Sequence, residues 1–274
     1  MVHFFQYTSG KNLFAQDIVL WLDGKDPLGT GTPPASGTNL SNWTDKSGSG
    51  NNGIAFNTIT WTSNSPNVAG TLLTGSTGSP QLYRMSNLPV TMNNQSVFFV
   101  GTCTNGSGTA DFISTESASS SASAGGFLQN RITGNKLQIS RWGGGIVVPV
   151  FGTTITSGTL FLYSMTYQYP VTVQPGVYAF LNGGSYSNTG TSFSQSGVGN
   201  VQIGGYTNNT VNNTGGEYWA GYISEVIMYN TTLSLGDRQK VEGYLAWKWG
   251  IQANLPVSHP YYSAAPSGFL PTQV

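Results

Sequence analysis

Residues Gly221-Tyr222-Ile223-Ser224-Glu225-Val226-Ile227-Met228-Tyr229-Asn230 are followed closely by Ser234-Leu235-Gly236-Asp237-Arg238-Gln239-Lys240-Val241-Glu242-Gly243-Tyr244-Leu245-Ala246-Trp247-Lys248-Trp249-Gly250. The first stretch is rich in β-branched and aromatic residues and free of proline, which predicts one long strand over Tyr218–Tyr229. Period-two alternation places Glu225 on the same face as Trp219, Ile223 and Ile227. The second stretch changes period. Ser234 with Asp237 three residues on has capping-box logic, and Gly250 stands where a helix C-terminal glycine belongs. Val241, Leu245 and Trp249, joined by Tyr244, share one helical face, so the spacing predicts a helix over about 235–249. Gly243 inside it costs about 1 kcal/mol against alanine and so predicts close backbone approach.

Everything upstream of this helix has strand texture. With 37 glycines and 13 prolines in 274 residues, the chain is cut into short apolar runs, which is the pattern of an all-β fold. The runs fall at Ile18–Asp23, Ile54–Thr62, Gln81–Met85, Ser96–Thr102, Phe127–Ile132, Lys136–Arg141, Thr159–Tyr167, Val177–Leu181 and Val201–Gly204. Asn182-Gly183-Gly184 between two apolar runs predicts a tight turn, because these residues tolerate positive φ. Thr30–Ser49 and Thr104–Gly126 read as loops. Beyond the helix, Leu255-Pro256 and His259-Pro260 predict an extended tail over 251–274 that docks on the body. No repeat or composition shift divides the chain, so residues 1–274 read as one domain.

Composition narrows the function. Charged residues make up 7% of the chain, ten basic against ten acidic, so no basic stripe exists to neutralise phosphates and nucleic acid is excluded as a partner. No apolar run approaches the roughly 20 residues that span a bilayer as a helix, so membrane insertion is not expected. The stretch Met1–Phe14 lacks the basic start and apolar core of a secretory signal. Single Cys103 rules out a disulfide framework and reads as a small core residue. Nucleophilic catalysis through a histidine base has only His3 and His259 to draw on, one near each end.

Several phrases together resemble the concanavalin A-like lectin/glucanase superfamily, in its laminin-G-like branch. They are Leu20-Trp21-Leu22-Asp23 with Asp26, then Asn42-Trp43-Thr44-Asp45-Lys46-Ser47-Gly48, then Gly221–Asn230 and the helix with Leu255-Pro256 and His259-Pro260-Tyr261. The resemblance covers both ends of the chain and extends to the middle, residues 63–200, only by strand texture. It implies a two-sheet antiparallel jelly-roll sandwich with one short C-terminal helix. It is also a signature of bacterial surface proteins and of virion proteins of large DNA viruses.

The glucanases of that superfamily carry their acids on one strand as Glu-x-Asp-x-x-Glu, and no such run occurs here. Glu217 and Glu225 are the best late pair, but eight strand residues hold them about 27 Å apart, beyond the separation a glycosidase needs. Glu225 is therefore expected to be a structural acid paired with Arg238 or Lys248. Laminin-G-like domains often hold Ca²⁺, and Asp23, Asp26 and Asp45 are the carboxylates that could supply it, their alternative role being to cap turns. A sugar site needs an aromatic platform and planar polar groups. Trp142, Tyr206, Tyr218 and Trp219 with Asn208 and Asn212 could provide one. The expected function is a non-catalytic structural or adhesive protein on a virion surface, part of an oligomeric assembly, contacting other capsid or surface proteins and host or cell-wall glycans. The alternative is a secreted polysaccharide-degrading glycoside hydrolase.

Overall fold

The computed structural model describes residues 17–65, 68–74, 81–85, 88, 94–104, 108–115, 128–141, 154–168, 177–189, 201–205 and 217–267. In chain order these form β1 (Ile18–Asp23), β2 (Asn42–Trp43), β3 (Gly53–Phe56), β4 (Thr60–Ser65) and β5 (Val68–Thr74). Next come β6 (Leu82–Met85), β7 (Asn94–Gly101), β8 (Thr109–Thr115), β9 (Leu128–Thr133) and β10 (Lys136–Arg141). The last strands are β11 (Phe161–Gln168), β12 (Val177–Leu181), β13 (Gly184–Thr189), β14 (Val201–Ile203) and β15 (Ala220–Tyr229), followed by helix α1 (Leu235–Lys248) and a 3₁₀ turn, Gln252–Asn254.

Two antiparallel sheets make an all-β sandwich. The first runs β13-β12-β11-β7-β15-β5-β4, with β1 also paired to β15. The second runs β10-β9-β8-β14-β6-β3-β2. Between them lies a core in which Phe99, Phe112, Phe161, Tyr163 and Trp219 pack as an aromatic knot, Phe99 and Phe112 with ring centres 4.6 Å apart and Phe112 and Trp219 5.5 Å apart. Cys103 is buried in the same core. The other face of the first sheet is covered by α1. Val241, Tyr244, Leu245 and Trp249 pack there on Phe98, Val100, Leu162, Ile227 and Tyr229, so the helical stripe read from the sequence is the one that is buried.

The helix starts as its sequence dictates. Ser234 accepts from the Asp237 N–H at 3.2 Å and its hydroxyl donates to the Asp237 carboxylate at 2.7 Å. Its end is marked by Gly250 at φ +69°. Likewise β12 turns into β13 through Asn182 at φ +51° and Gly183 at φ +71°, both left-handed as a two-residue hairpin requires.

Four readings of the sequence are corrected. Ile54–Thr62 is not one strand: Asn57, at φ +62°, turns the chain, so β3 joins the second sheet and β4 the first. The expected loop Thr104–Gly126 contains β8, a central strand of the second sheet, and Thr30–Ser49 contains the short β2. The tail is not extended. Leu255 has the extended backbone a residue before proline prefers, but the chain around it closes turns through Leu255 N–H to Gln252 O, His259 N–H to Pro256 O and Tyr262 N–H to His259 O. Residues 268–274 lie outside the described residues.

The fourth correction concerns β15. Its pairing with β7 shifts register between Ile223 and Glu225, a β-bulge. One extra residue flips the alternation. Ile223 and Trp219 therefore face the inter-sheet core with Val226 and Met228, whereas Ile227 and Tyr229 face the helix. Glu225 lies with the latter, against residues of α1.

Candidate functional site

Glu225 and Asp23 are cross-strand partners on β15 and β1, and Lys248, in the last turn of α1, reaches down between them. Its ammonium lies 2.8 Å from Asp23 Oδ1 and 2.8 Å from Glu225 Oε2. The remaining valences of Glu225 are filled by the indole N–H groups of Trp21 at 2.8 Å and Trp249 at 2.6 Å. Of the two basic partners named from the sequence, Lys248 is the one present, and Arg238 binds elsewhere. Burial drives the Glu225 pKa up, and the neighbouring Asp23 charge adds to this against the pull of Lys248. For Asp23 burial also pushes upward, but Lys248 and Lys46 together outweigh it and hold the carboxyl at about 2. Burial would lower the Lys248 pKa, yet its two carboxylates raise it. Every member is paired and fully or nearly enclosed, Glu225 being 0% exposed. Such a cluster fastens the helix to the sheet and offers no group to a substrate.

Arg238 instead joins a second buried cluster. It binds Glu242, four residues on in α1, while its guanidinium stacks 3.5 Å over the Phe180 ring. Glu242 also accepts from Ser164 on β11 and lies 3.2 Å from His259 Nε2 in the tail. His259 is thus a buried packing residue of the turns after the helix, and His3 lies outside the described residues. Sequence reasoning passed over Glu242, although the Arg-x-x-x-Glu spacing on one helical face was its signal.

The three aspartates named for calcium do not fit a cation. Asp23 and Asp26 converge on Lys46, at 3.1 Å and 3.0 Å, and Asp26 further accepts from the backbone of Thr30 and Gly31. Asp45 turns the other way, accepting the Trp21, Ser47 and Asn51 backbone N–H groups and the Ser47 hydroxyl. Their oxygens are committed to an ammonium or to N–H donors, and no group of three or more potential metal ligands occurs among the described residues. These acids tie β1 to the loop that follows it.

Of the residues named for a sugar platform, Trp142, Tyr206, Asn208 and Asn212 lie outside the described residues. Tyr218 and Trp219 are 1% and 0% exposed. Trp219 belongs to the aromatic knot and the Tyr218 ring lies against Gly205, so neither ring presents a face to solvent.

A different polar array sits on the outward face of the second sheet. Ile113, Ile132, Leu137, Ile203 and Tyr83 point into the core, so their neighbours Arg131, Gln138, Gln202 and Arg84 point away from it. Register links them: Arg84 lies opposite Gln202, Gln202 opposite Ser114, and Arg131 opposite both Asp111 and Gln138. Arg131 donates to Gln138 Oε1 at 2.6 Å and to the Glu217 carboxylate at 3.2 Å. The Ser114 hydroxyl donates to Asp111 Oδ2 at 3.3 Å. Asp111, Ser114 and Gln202 are buried, while Arg131, Arg84 and Glu217 are half-buried at the surface. The result is a band of amide, guanidinium and carboxylate planes in which Arg131 fixes Gln138 and Glu217, and Ser114 fixes Asp111. Alternating polar positions in Arg131–Thr133, Gln138 and Gln202 carried the signal, but the bulge in β8 between Asp111 and Ile113 hid its phase.

Fold and site together define a two-sheet sandwich with a helix locked on one outer face and a polar band on the other. No family model and no curated protein sequence matches the chain. Solved structures do. A sialidase of Trypanosoma rangeli, in complex with sialic acid, matches over 84% of this chain at 12% identity and a TM-score of 0.56. The receptor binding domain of botulinum neurotoxin type G matches over 86% at 12% identity and 0.53, and the binding domain of serotype D/C over 85% at 14% and 0.54. The chain spans 33% of that sialidase and 52–53% of the toxin domains. At these identities the likeness establishes the fold alone.

Proposed function

We propose that this chain is a non-catalytic glycan-binding module of the concanavalin A-like, laminin-G-like type, acting on an outer surface. The observation that carries the reading is the polar band on the outward face of the second sheet, where the half-buried Arg84, Arg131 and Glu217 reach the surface beside the buried Gln202, Ser114, Asp111 and Gln138. Planar donors and acceptors held rigidly beside one another suit sugar hydroxyls, which both give and take hydrogen bonds. Two of the fold relatives are named as receptor binding or binding domains and a third is described with a bound sialic acid, uses in keeping with recognition. The setting we assign is the surface of a virion, with other capsid or surface proteins as neighbours. It draws on the resemblance of both chain ends to such proteins and on a charge content of 7%, since the centres of packed interfaces are poor in charge.

A second reading, hydrolysis of a polysaccharide, has one observation in its favour: Asp111 and Glu217 lie on the same band, with Asp111 N–H donating to Glu217 O at 2.9 Å. Against it, Arg131 already engages Glu217 and Asp111 is 0% exposed. A glycan array run with the intact chain and with Arg131→Ala separates the two. Retention of a defined glycan class, weakened about tenfold or more in the variant, is the expected outcome. Absence of any retained glycan, or retention indifferent to Arg131, overturns it. Release of reducing ends from a polysaccharide, abolished by Asp111→Asn, would establish the hydrolase instead.

A further inference from the structure

A groove separate from the polar band opens beside the start of β11. Its volume is about 250 Å³, and its walls are the turn Thr154–Leu160, the hairpin tip Leu181–Asn182 and Asn254 of the 3₁₀ turn, with Phe161 beneath. We propose that it is a binding site for a single neutral sugar ring or a similarly compact polyol. This goes beyond the reading above and uses none of its residues.

Three observations converge. The lining holds hydroxyls from Thr154, Thr156 and Thr159 and amides from Asn182 and Asn254, beside apolar Leu160, Phe161 and Leu181, and no charged side chain. An ionised ligand would lose hydration there with nothing to compensate it, whereas a pyranose has both an apolar C–H face and a rim of hydroxyls. The Asn182 carbonyl oxygen is already taken by the Leu162 N–H at 2.9 Å, so its side-chain amide is left to act as donor. Size points the same way, since 250 Å³ lies just below the range of ordinary small-molecule pockets and holds one ring rather than a chain.

The walls are also pre-set. Ile155 N–H donates to Asn135 O at 2.7 Å, Gly158 N–H to Cys103 O at 2.8 Å and Thr159 N–H to Thr156 O at 3.1 Å, pinning the threonine turn. Asn182 N–H donates to Leu162 O at 2.7 Å, and a Cβ on Gly183 would come within 3.0 Å of Leu255 and His259, so the tail fixes the hairpin tip. Asn254 N–H closes its own turn on Ile251 O at 2.9 Å. Ligand entry therefore requires little ordering of the protein, the main entropic cost of a small site.

The test is a titration of the ¹⁵N,¹³C-labelled chain with methyl α-D-glucopyranoside, with N-acetylneuraminic acid as the charged comparison. Saturable shift changes confined to the Asn182 side-chain amide and the Thr154, Thr156 and Thr159 methyls, larger for the neutral ring, are expected. Thr156→Trp, at an exposed position on the rim, should weaken them about tenfold, while Arg131→Ala leaves them unchanged. Overturning results are shifts that never saturate or that spread over the surface, a preference for the acid, or saturation unaffected by Thr156→Trp. Loss of these shifts in Arg131→Ala would assign the sugar to the polar band instead.

Discussion

The Lys248 ammonium and the Glu225 carboxylate meet at 2.8 Å beneath the helix, joining its last turn to the ten-residue strand β15. The same ammonium neutralises Asp23. Removing it would leave the Glu225 carboxylate buried without its ion-pair partner, beside an Asp23 that keeps only Lys46. We expect Lys248→Met to destabilise the fold by about 3–5 kcal/mol. Glu225→Gln keeps an acceptor for one of the two indoles, turns an NH2 donor toward the other and leaves Lys248 paired with Asp23, so its cost should be about 1–3 kcal/mol. Urea denaturation of both variants checks the order, and a Lys248→Met protein as stable as the parent would refute it.

Asp23 makes stability depend on acid. Its carboxyl titrates at about 2 in the folded chain against 3.8 when free. A depressed acid contributes stability that is complete above 3.8 and is lost as pH falls toward 2. The loss amounts to about 2 kcal/mol. Glu225 works in the opposite sense, because its raised pKa means that folding disfavours its charged form and protonation relieves that cost. Thermal unfolding followed from about pH 5 downward should therefore show a fall that is shallower in Asp23→Asn. Parallel curves for the two proteins would contradict the assignment.

Gly243 sits where the helix meets the tail, and a Cβ there would fall 2.6 Å from Tyr261 Cβ. Alanine would gain about 1 kcal/mol of helix propensity but overpack this contact. We expect Gly243→Ala to lose about 1–3 kcal/mol net. A rise in melting temperature would show that the tail yields freely.

Truncation after Gly250 removes Leu255 from the helix-side core and His259 from Glu242. Lost burial of the leucine alone is worth about 1.5–3 kcal/mol. The shortened chain should unfold at least that much earlier in urea, and identical midpoints would mean that the segment contributes nothing to stability.

The strand runs, the Asn182-Gly183 hairpin and the capped amphipathic helix were legible because each is a local matter of φ preference, capping and periodicity. The change of face along β15 was not. Alternation counted back from Ile227 is correct, but the bulge at Ile223–Glu225 breaks the count, so Trp219 and Ile223 belong to the inter-sheet core. The same defect in β8 concealed Asp111 as a member of the polar band. Thr109–Thr115 passed for part of a loop because its polar residues are satisfied by neighbours distant in sequence, as Asp111 N–H is by Glu217 O.

What the chain order alone settled was class: short β-rich runs punctuated by glycine and one helix with both ends signalled. Which acid meets which base was decided only in three dimensions. Lys248 and Arg238 lie on one helix and either could have faced Glu225, but the crossing of α1 over β15 and β11 brings Lys248 to Asp23 and Glu225 and leaves Arg238 to Glu242. Pairing of buried charges is a property of packing geometry, because Coulomb attraction and desolvation depend on distance and enclosure, neither of which is written in the spacing of residues along a chain.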